Sequence, residues 1–163
     1  MMLSSRSLNL LGFLMCAGML TFALYLQHVV GLDPCPLCIF QRVAVMAAGL
    51  LFLVAFLHGA GALGSRFHGV LTLGASLVGI GLALRHLWLQ SLPADQVPSC
   101  GPGLDYMMDV LPLMQVFKEV LSGSGECAEI EGIFMGITLP GWTLMGFAVL
   151  ALLALMNIVK FRR

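Results

Sequence analysis

Four apolar runs separated by polar connections dominate the chain, at about residues 8–30, 37–57, 69–89 and 141–159. Each is close to the roughly 20 residues that a helix rising about 1.5 Å per residue needs to cross a hydrocarbon layer of about 30 Å. The first run closes on Tyr25, Gln27 and His28, an aromatic and polar border suited to a membrane interface. The second and third runs flank a short connection, His58 to His68, which makes their helices antiparallel neighbours. In the third run Ala75, Gly79 and Ala83 recur every four residues, a stripe of small side chains that lets helices approach closely in lipid. Residues 90–140 form the one long polar connection. Within it Leu113, Val116, Phe117, Val120 and Leu121 share a helical face, so a short amphipathic helix is expected to lie on the bilayer or to pack on the rest of the loop. The pattern predicts an all-α, antiparallel bundle of four transmembrane helices, one domain over 1–163, with a short loop at 31–36 and a long one at 90–140. Arg6 ahead of an apolar run imitates a signal peptide, but the run is too long for an h-region and three more follow it.

Composition sharpens this. Of 163 residues, 60% are hydrophobic and 10% charged, and the mean hydropathy is +0.99. A soluble domain of that size cannot hide so much apolar surface, so the chain reads as an integral membrane protein. Net charge is zero and there is no basic tract, so no nucleic-acid partner is expected. Charge also sets orientation. With both termini and the 58–68 connection on the cytoplasmic side, that side holds Arg6, Arg66, Lys160, Arg162 and Arg163 and no acid. The loops at 31–36 and 90–140, with all eight acidic residues, then face the extracytoplasmic side, where disulfides persist.

The candidate chemistry lies where the second run begins, in Pro34-Cys35-Pro36-Leu37-Cys38-Ile39-Phe40-Gln41-Arg42. Pro36 suits the first position of a helix, which puts Cys38 in the first turn. Unpaired N–H groups, the positive helix end and Arg42 one turn further along all favour a thiolate there. Of the five cysteines, Cys16 lies inside an apolar run, and Cys35, Cys38, Cys100 and Cys127 fall in or beside the polar loops. Four cysteines allow three pairings. The simplest joins Cys35 to Cys38 and Cys100 to Cys127, the latter closing a loop of about 27 residues worth roughly 3–4 kcal/mol. The first pair suits electron transfer more than structural bridging. A Cys₄ zinc site, or a soft-metal site using Met107, Met108, Met114 and Met135, is the rival. Thiols are hard to keep reduced on this side and methionines in so apolar a chain are ordinarily packing, so no metal is expected. A surface redox pair needs an acceptor, and the chain carries no haem-attachment or dinucleotide motif. A quinone would arrive through the bilayer at a groove beside Cys38, with Arg42 bonding to its oxygen. His28 and His86 lie at the same level, and Arg85 is expected to snorkel.

These residues resemble the disulfide bond formation protein B (DsbB) family of bacterial inner-membrane oxidases. The resemblance runs through Gln27-His28-Val29, Pro34-Cys35-x-Leu37-Cys38-Ile39 with Arg42, His86 and Gln90, Cys100, Ser124-Gly125-Glu126-Cys127-Ala128-Glu129 and Pro140-Gly141-Trp142, nearly the whole chain. It implies that a reduced periplasmic DsbA-like thioredoxin-fold protein attacks Cys100 of a Cys100–Cys127 disulfide. Electrons then pass to Cys35–Cys38, through an interloop Cys35–Cys127 bond, and from Cys38 to ubiquinone or menaquinone beside Arg42, with His86 near the quinone. Two features depart from the pattern: Pro36 between the paired cysteines, and Gly101-Pro102-Gly103 after Cys100. The alternatives are a vitamin K epoxide reductase-like oxidoreductase and a non-enzymatic metal-handling or structural membrane protein. The lack of a fused thioredoxin-like domain and the order of segments favour the first reading.

Overall fold

The structure is a computed structural model, which describes every residue except 1–3, 60–61, 94, 100, 102, 131 and 161–163. Four long helices form the bundle: α1 (Ser5–Tyr25), continued by a π-helical turn (Leu26–Val30), α2 (Pro36–His58), α3 (Ala62–Gln90) and α7 (Leu139–Lys160). The long connection holds three short helices, α4 (Leu104–Val110), α5 (Leu113–Ser122) and α6 (Gly125–Ala128), and a two-stranded antiparallel hairpin, β1 (Ile133–Phe134) and β2 (Ile137–Thr138). All four long helices are long and apolar enough to cross a membrane.

The helices pack in the cyclic order α1–α2–α3–α7, each beside two others. Close approaches come where glycine removes a side chain. A Cβ at Gly79 would strike the Phe147 ring of α7, so the small-residue stripe of α3 is the seat of α7. On the other side of the bundle Gly12 of α1 lies under the Phe52 ring of α2, where a Cβ would come within 2.7 Å. At the end remote from the paired cysteines the buried polar side chains satisfy each other. Ser5 Oγ donates to Asn157 Oδ1 at 2.7 Å, Asn157 Nδ2 donates to Asn9 Oδ1 at 2.9 Å, and the Ser5 and Ser65 hydroxyls lie 3.0 Å apart. This network joins α1, α3 and α7 where no water would otherwise serve the amides.

One boundary differs clearly from expectation. The third helix begins at Ala62 rather than near Gly69, so most of the expected 58–68 connection is helical. The turn into it opens at Gly59, whose φ of +53° ends α2 in the left-handed region. The first helix ends in a π-turn capped by Gly31 at φ +82°. The amphipathic helix forms as α5, and its apolar face is divided. Val116 and Val120 are buried against the bundle, while Leu113, Phe117 and Leu121 stay exposed. Arg85 does more than snorkel: its guanidinium donates to the carbonyls of Leu121 (2.9 Å) and Ser122 (2.7 Å), capping the C-terminus of α5 and fixing it to α3.

Candidate redox site

Pro36 occupies the first turn of α2, as the sequence leads one to expect, and Cys35 is the residue before the helix, with extended backbone. Cys38 lies in that first turn. The Cys35 and Cys38 sulfurs are 3.1 Å apart, and the four described cysteines are free thiols. Two other elements complete the cluster. From α3, the buried His86 brings Nε2 to 3.9 Å from the Cys35 sulfur and Nδ1 to 4.0 Å from that of Cys38. From α6, buried Cys127 lies beside Cys35, and its own sulfur is 3.6 Å from the Ser124 hydroxyl. Cys100 lies outside the described residues. Its neighbours do not: the Gly125 N–H donates to the Ser99 carbonyl at 3.3 Å, and Gly101 faces Ser124.

Crowded, buried sulfurs resist ionisation. The hydrogen bond with Cys127 lowers the Cys35 pKa. Hydrogen bonding with Cys38 and burial outweigh it, and the thiol is pushed up to about 12. Hydrogen bonding with Cys35, then burial, also push the Cys127 thiol upward. Both sulfurs are therefore held as protonated thiols near neutral pH.

On the other face of Cys38 runs a groove of about 590 Å³ between α1, α2 and α7. Its polar end holds Asp33, Cys38, Gln41 and Arg42, and its apolar length is lined by side chains such as Met15, Met19, Phe22 and Val149. Arg42 is half-buried there. It donates to Gln27 Oε1 of the π-turn and, at 3.2 Å, to the Ala23 carbonyl. The hairpin closes one side: Phe134 and Trp142 both line the groove, and the Trp142 indole N–H donates to the Phe134 carbonyl at 3.0 Å. Of the described cysteines only Cys38 borders this groove. It thus belongs both to the sulfur cluster and to the groove wall.

The structure brings Cys35, Cys38, Cys127 and His86 together and sets Arg42 in the groove beside Cys38. His86 meets the sulfurs but does not line the groove, and His28 is exposed on the π-turn and does not line it either. Two further residues take part. Gln41, buried, approaches His86 Nδ1 with its amide nitrogen at 3.2 Å and reaches the groove, and Gln27 holds Arg42. In the sequence Gln27 is a border residue and part of the family resemblance with no role attached, and Gln41 is one residue within the motif.

Comparison with known proteins decides what this arrangement belongs to. The family model described as disulfide bond formation protein DsbB matches residues 5–157. The chain belongs to the DsbB family. Proteins named disulfide bond formation protein B align with it throughout. That of Chromohalobacter salexigens is 57% identical over 154 residues, covering 94% of this chain and 90% of its own. That of Marinobacter nauticus is 49% identical over 158 residues, covering 97% and 94%. That of Acinetobacter baumannii is 55% identical over 144 residues, covering 87% and 84%. As a DsbB-family member the chain is a multi-pass inner-membrane oxidoreductase that acts in disulfide bond formation, and the vitamin K epoxide reductase-like and structural alternatives fall away.

Proposed function

We propose that the protein reoxidises a periplasmic DsbA-like thioredoxin-fold protein and passes the electrons through two cysteine pairs to a membrane quinone. Both termini are then cytoplasmic and both redox loops periplasmic, the orientation that the Arg and Lys distribution favours. The observation that carries the reading is the double membership of Cys38, in the sulfur cluster and in the groove wall.

The exchange steps balance within the chain's own sulfurs. A thiolate of the reduced partner attacks Cys100 in a Cys100–Cys127 disulfide, so a mixed disulfide forms and Cys127 leaves with the bonding pair. The partner's second thiolate resolves the mixed disulfide, and the partner departs oxidised. Ser99 and Gly101 beside Ser124 and Gly125 support the reach between Cys100 and Cys127. Cys127 then attacks Cys35, an interloop bond forms and Cys38 is released as the thiolate. Cys100 recaptures Cys127, which leaves Cys35 and Cys38 reduced. The proximity of Cys127 to Cys35 supports that route.

The groove fits a quinone. Its volume lies in the range of small-molecule sites, it is apolar along its length, and a guanidinium stands at the end where Cys38 emerges. A bound quinone supplies a sink for two electrons and two protons, those that the Cys35–Cys38 dithiol gives up in closing its disulfide. Arg42, braced by Gln27 and the Ala23 carbonyl, would hold a ring oxygen and offset negative charge there. Cys38 presents the sulfur, and the apolar walls keep water from the site. Ubiquinone and menaquinone share this chemistry. In detergent, reduced partner plus quinone should give oxidised partner continuously, and Cys38→Ser should stop it. Unchanged turnover in that variant would remove Cys38 from the relay.

A further inference from the structure

Two thiols, Cys35 and Cys38, and the His86 imidazole converge on one point of this protein, and the Cys127 thiol lies beside Cys35, so together they offer the donor set of a Cys₃His metal site. The Cys35 and Cys38 sulfurs and one His86 ring nitrogen lie within 4.8 Å of one another. A tetrahedral zinc ion, with bonds of about 2.3 Å to sulfur and about 2.0 Å to nitrogen, needs S···S separations near 3.8 Å and S···N separations near 3.6 Å. The separations present are 3.1 Å between the sulfurs and 3.9 and 4.0 Å from sulfur to ring nitrogen. The two sulfur-to-nitrogen approaches are to different ring nitrogens, so binding turns the imidazole to bring one of them to both sulfurs while the sulfurs spread apart. Cys127, beside Cys35 on α6, supplies the third sulfur. The Gln41 amide lies 3.2 Å from His86 Nδ1; turned over about its last bond, it presents its oxygen to an Nδ1–H and orients a ring that ligates through Nε2. The donors are soft, as zinc, cobalt and cuprous ions prefer.

We propose that the fully reduced protein captures a soft divalent cation such as Zn²⁺ at Cys35, Cys38, Cys127 and His86, and that this capture withholds its electrons from the acceptor. The balance is one Zn²⁺ plus three thiols and one imidazole giving a zinc tris-thiolate imidazole complex and three released protons. No electron moves. Oxidation of any two of the sulfurs to a disulfide removes the donors, so the oxidised protein does not bind. The expectation that thiols on this face cannot be kept reduced, which weighed against a resident metal, does not apply to a state that recurs whenever acceptor is scarce. Ion capture rests on the sulfur geometry alone, and the withholding of electrons rests on the relay proposed above.

The test uses the full chain in detergent, reduced anaerobically without quinone and titrated with Co²⁺ alone. The expected result is one ion per chain, with tetrahedral visible bands and thiolate-to-cobalt charge transfer. Cys127→Ser should lower that charge-transfer intensity by about a third, as one of three thiolates is lost. His86→Ala should weaken binding about tenfold or more. Cys100→Ser should leave the spectrum unchanged. Zn²⁺ should raise the melting temperature of the reduced wild-type protein and not of the oxidised one, a reading that no folding defect in a variant can imitate. Absence of a tetrahedral spectrum in the reduced wild type would overturn the proposal. So would indifference to both Cys127→Ser and His86→Ala, or loss of the spectrum in Cys100→Ser.

Discussion

Cys35 and Cys38 are separated by two residues in the same motif but face different surroundings. Cys35 lies among Cys38, Cys127 and His86, and Cys38 also meets the groove. Because the Cys35 thiol is pushed up to about 12, its alkylation by iodoacetamide in the reduced protein should climb about tenfold per pH unit from roughly pH 7 to pH 10. A plateau near pH 9 would show an ordinary thiol instead. Arg42→Ala should raise the quinone KM by about ten- to a hundredfold, the loss of a charge-assisted hydrogen bond. Gln27→Leu, which removes a brace rather than the guanidinium, should move KM in the same direction by less. Steady-state kinetics at low quinone check both, and an unchanged KM for Arg42→Ala would remove it from the site. The pairing of Cys38 with Arg42 could be read from the chain because both lie on one helix, four residues apart. Gln27 and Gln41 could not be read so, because their partners, Arg42 and His86, come from other helices and a neutral amide carries no sequence signature of its own.

At the scale of elements, the four spans were legible because lipid demands long apolar helices and permits little else. The early start of α3 was hidden by Gly64, Ser65, Arg66 and His68, which look like a loop by composition but continue the helix. The hairpin was hidden too. Its strands are two residues each, and Ile133, Phe134, Met135 and Ile137 do not alternate with polar residues. Only the turn betrays it afterwards: Met135 at φ +53° and Gly136 at φ +81° are the two left-handed positions of a type I′ connection. Since Phe134 and Trp142 line the groove, quinone should quench the Trp142 emission saturably in a Trp88→Phe background. Phe134→Ala should weaken that binding about three- to tenfold, the worth of one aromatic contact. Equal affinity in the two proteins would place the hairpin outside the site. The junction of α5 with α3 offers a separate test. Arg85→Ala removes both hydrogen bonds to the last carbonyls of α5, and amide exchange across Leu113–Ser122 should quicken by about tenfold, with the bundle helices unaffected. Exchange unchanged in α5 would mean that Val116 and Val120 alone hold it.

For the whole molecule, the cyclic α1–α2–α3–α7 bundle does two things at once. It seats α7 on the small-residue stripe of α3, and between α1, α2 and α7 it leaves a groove reaching the first turn of α2. The long connection folds back over that same end, so α6 delivers Cys127 to Cys35. Periodicity and charge foretold the bundle and its orientation; the convergence of the sulfurs needs the folded loop, which no run of residues encodes locally. A reporter fused after Arg163 should behave as cytoplasmic, and periplasmic behaviour would invert the arrangement. The most direct measurement is a single turnover without partner: protein reduced beforehand, mixed rapidly with quinone, and followed by quinone absorbance. Two quinones should be reduced for each fully reduced wild-type chain, one per dithiol, and one for each Cys100→Ser chain, whose single reduction keeps the rate of the first wild-type step, with none in Cys38→Ser. Reduction by Cys38→Ser at the wild-type rate would contradict the assignment of that sulfur as the point where electrons leave the protein.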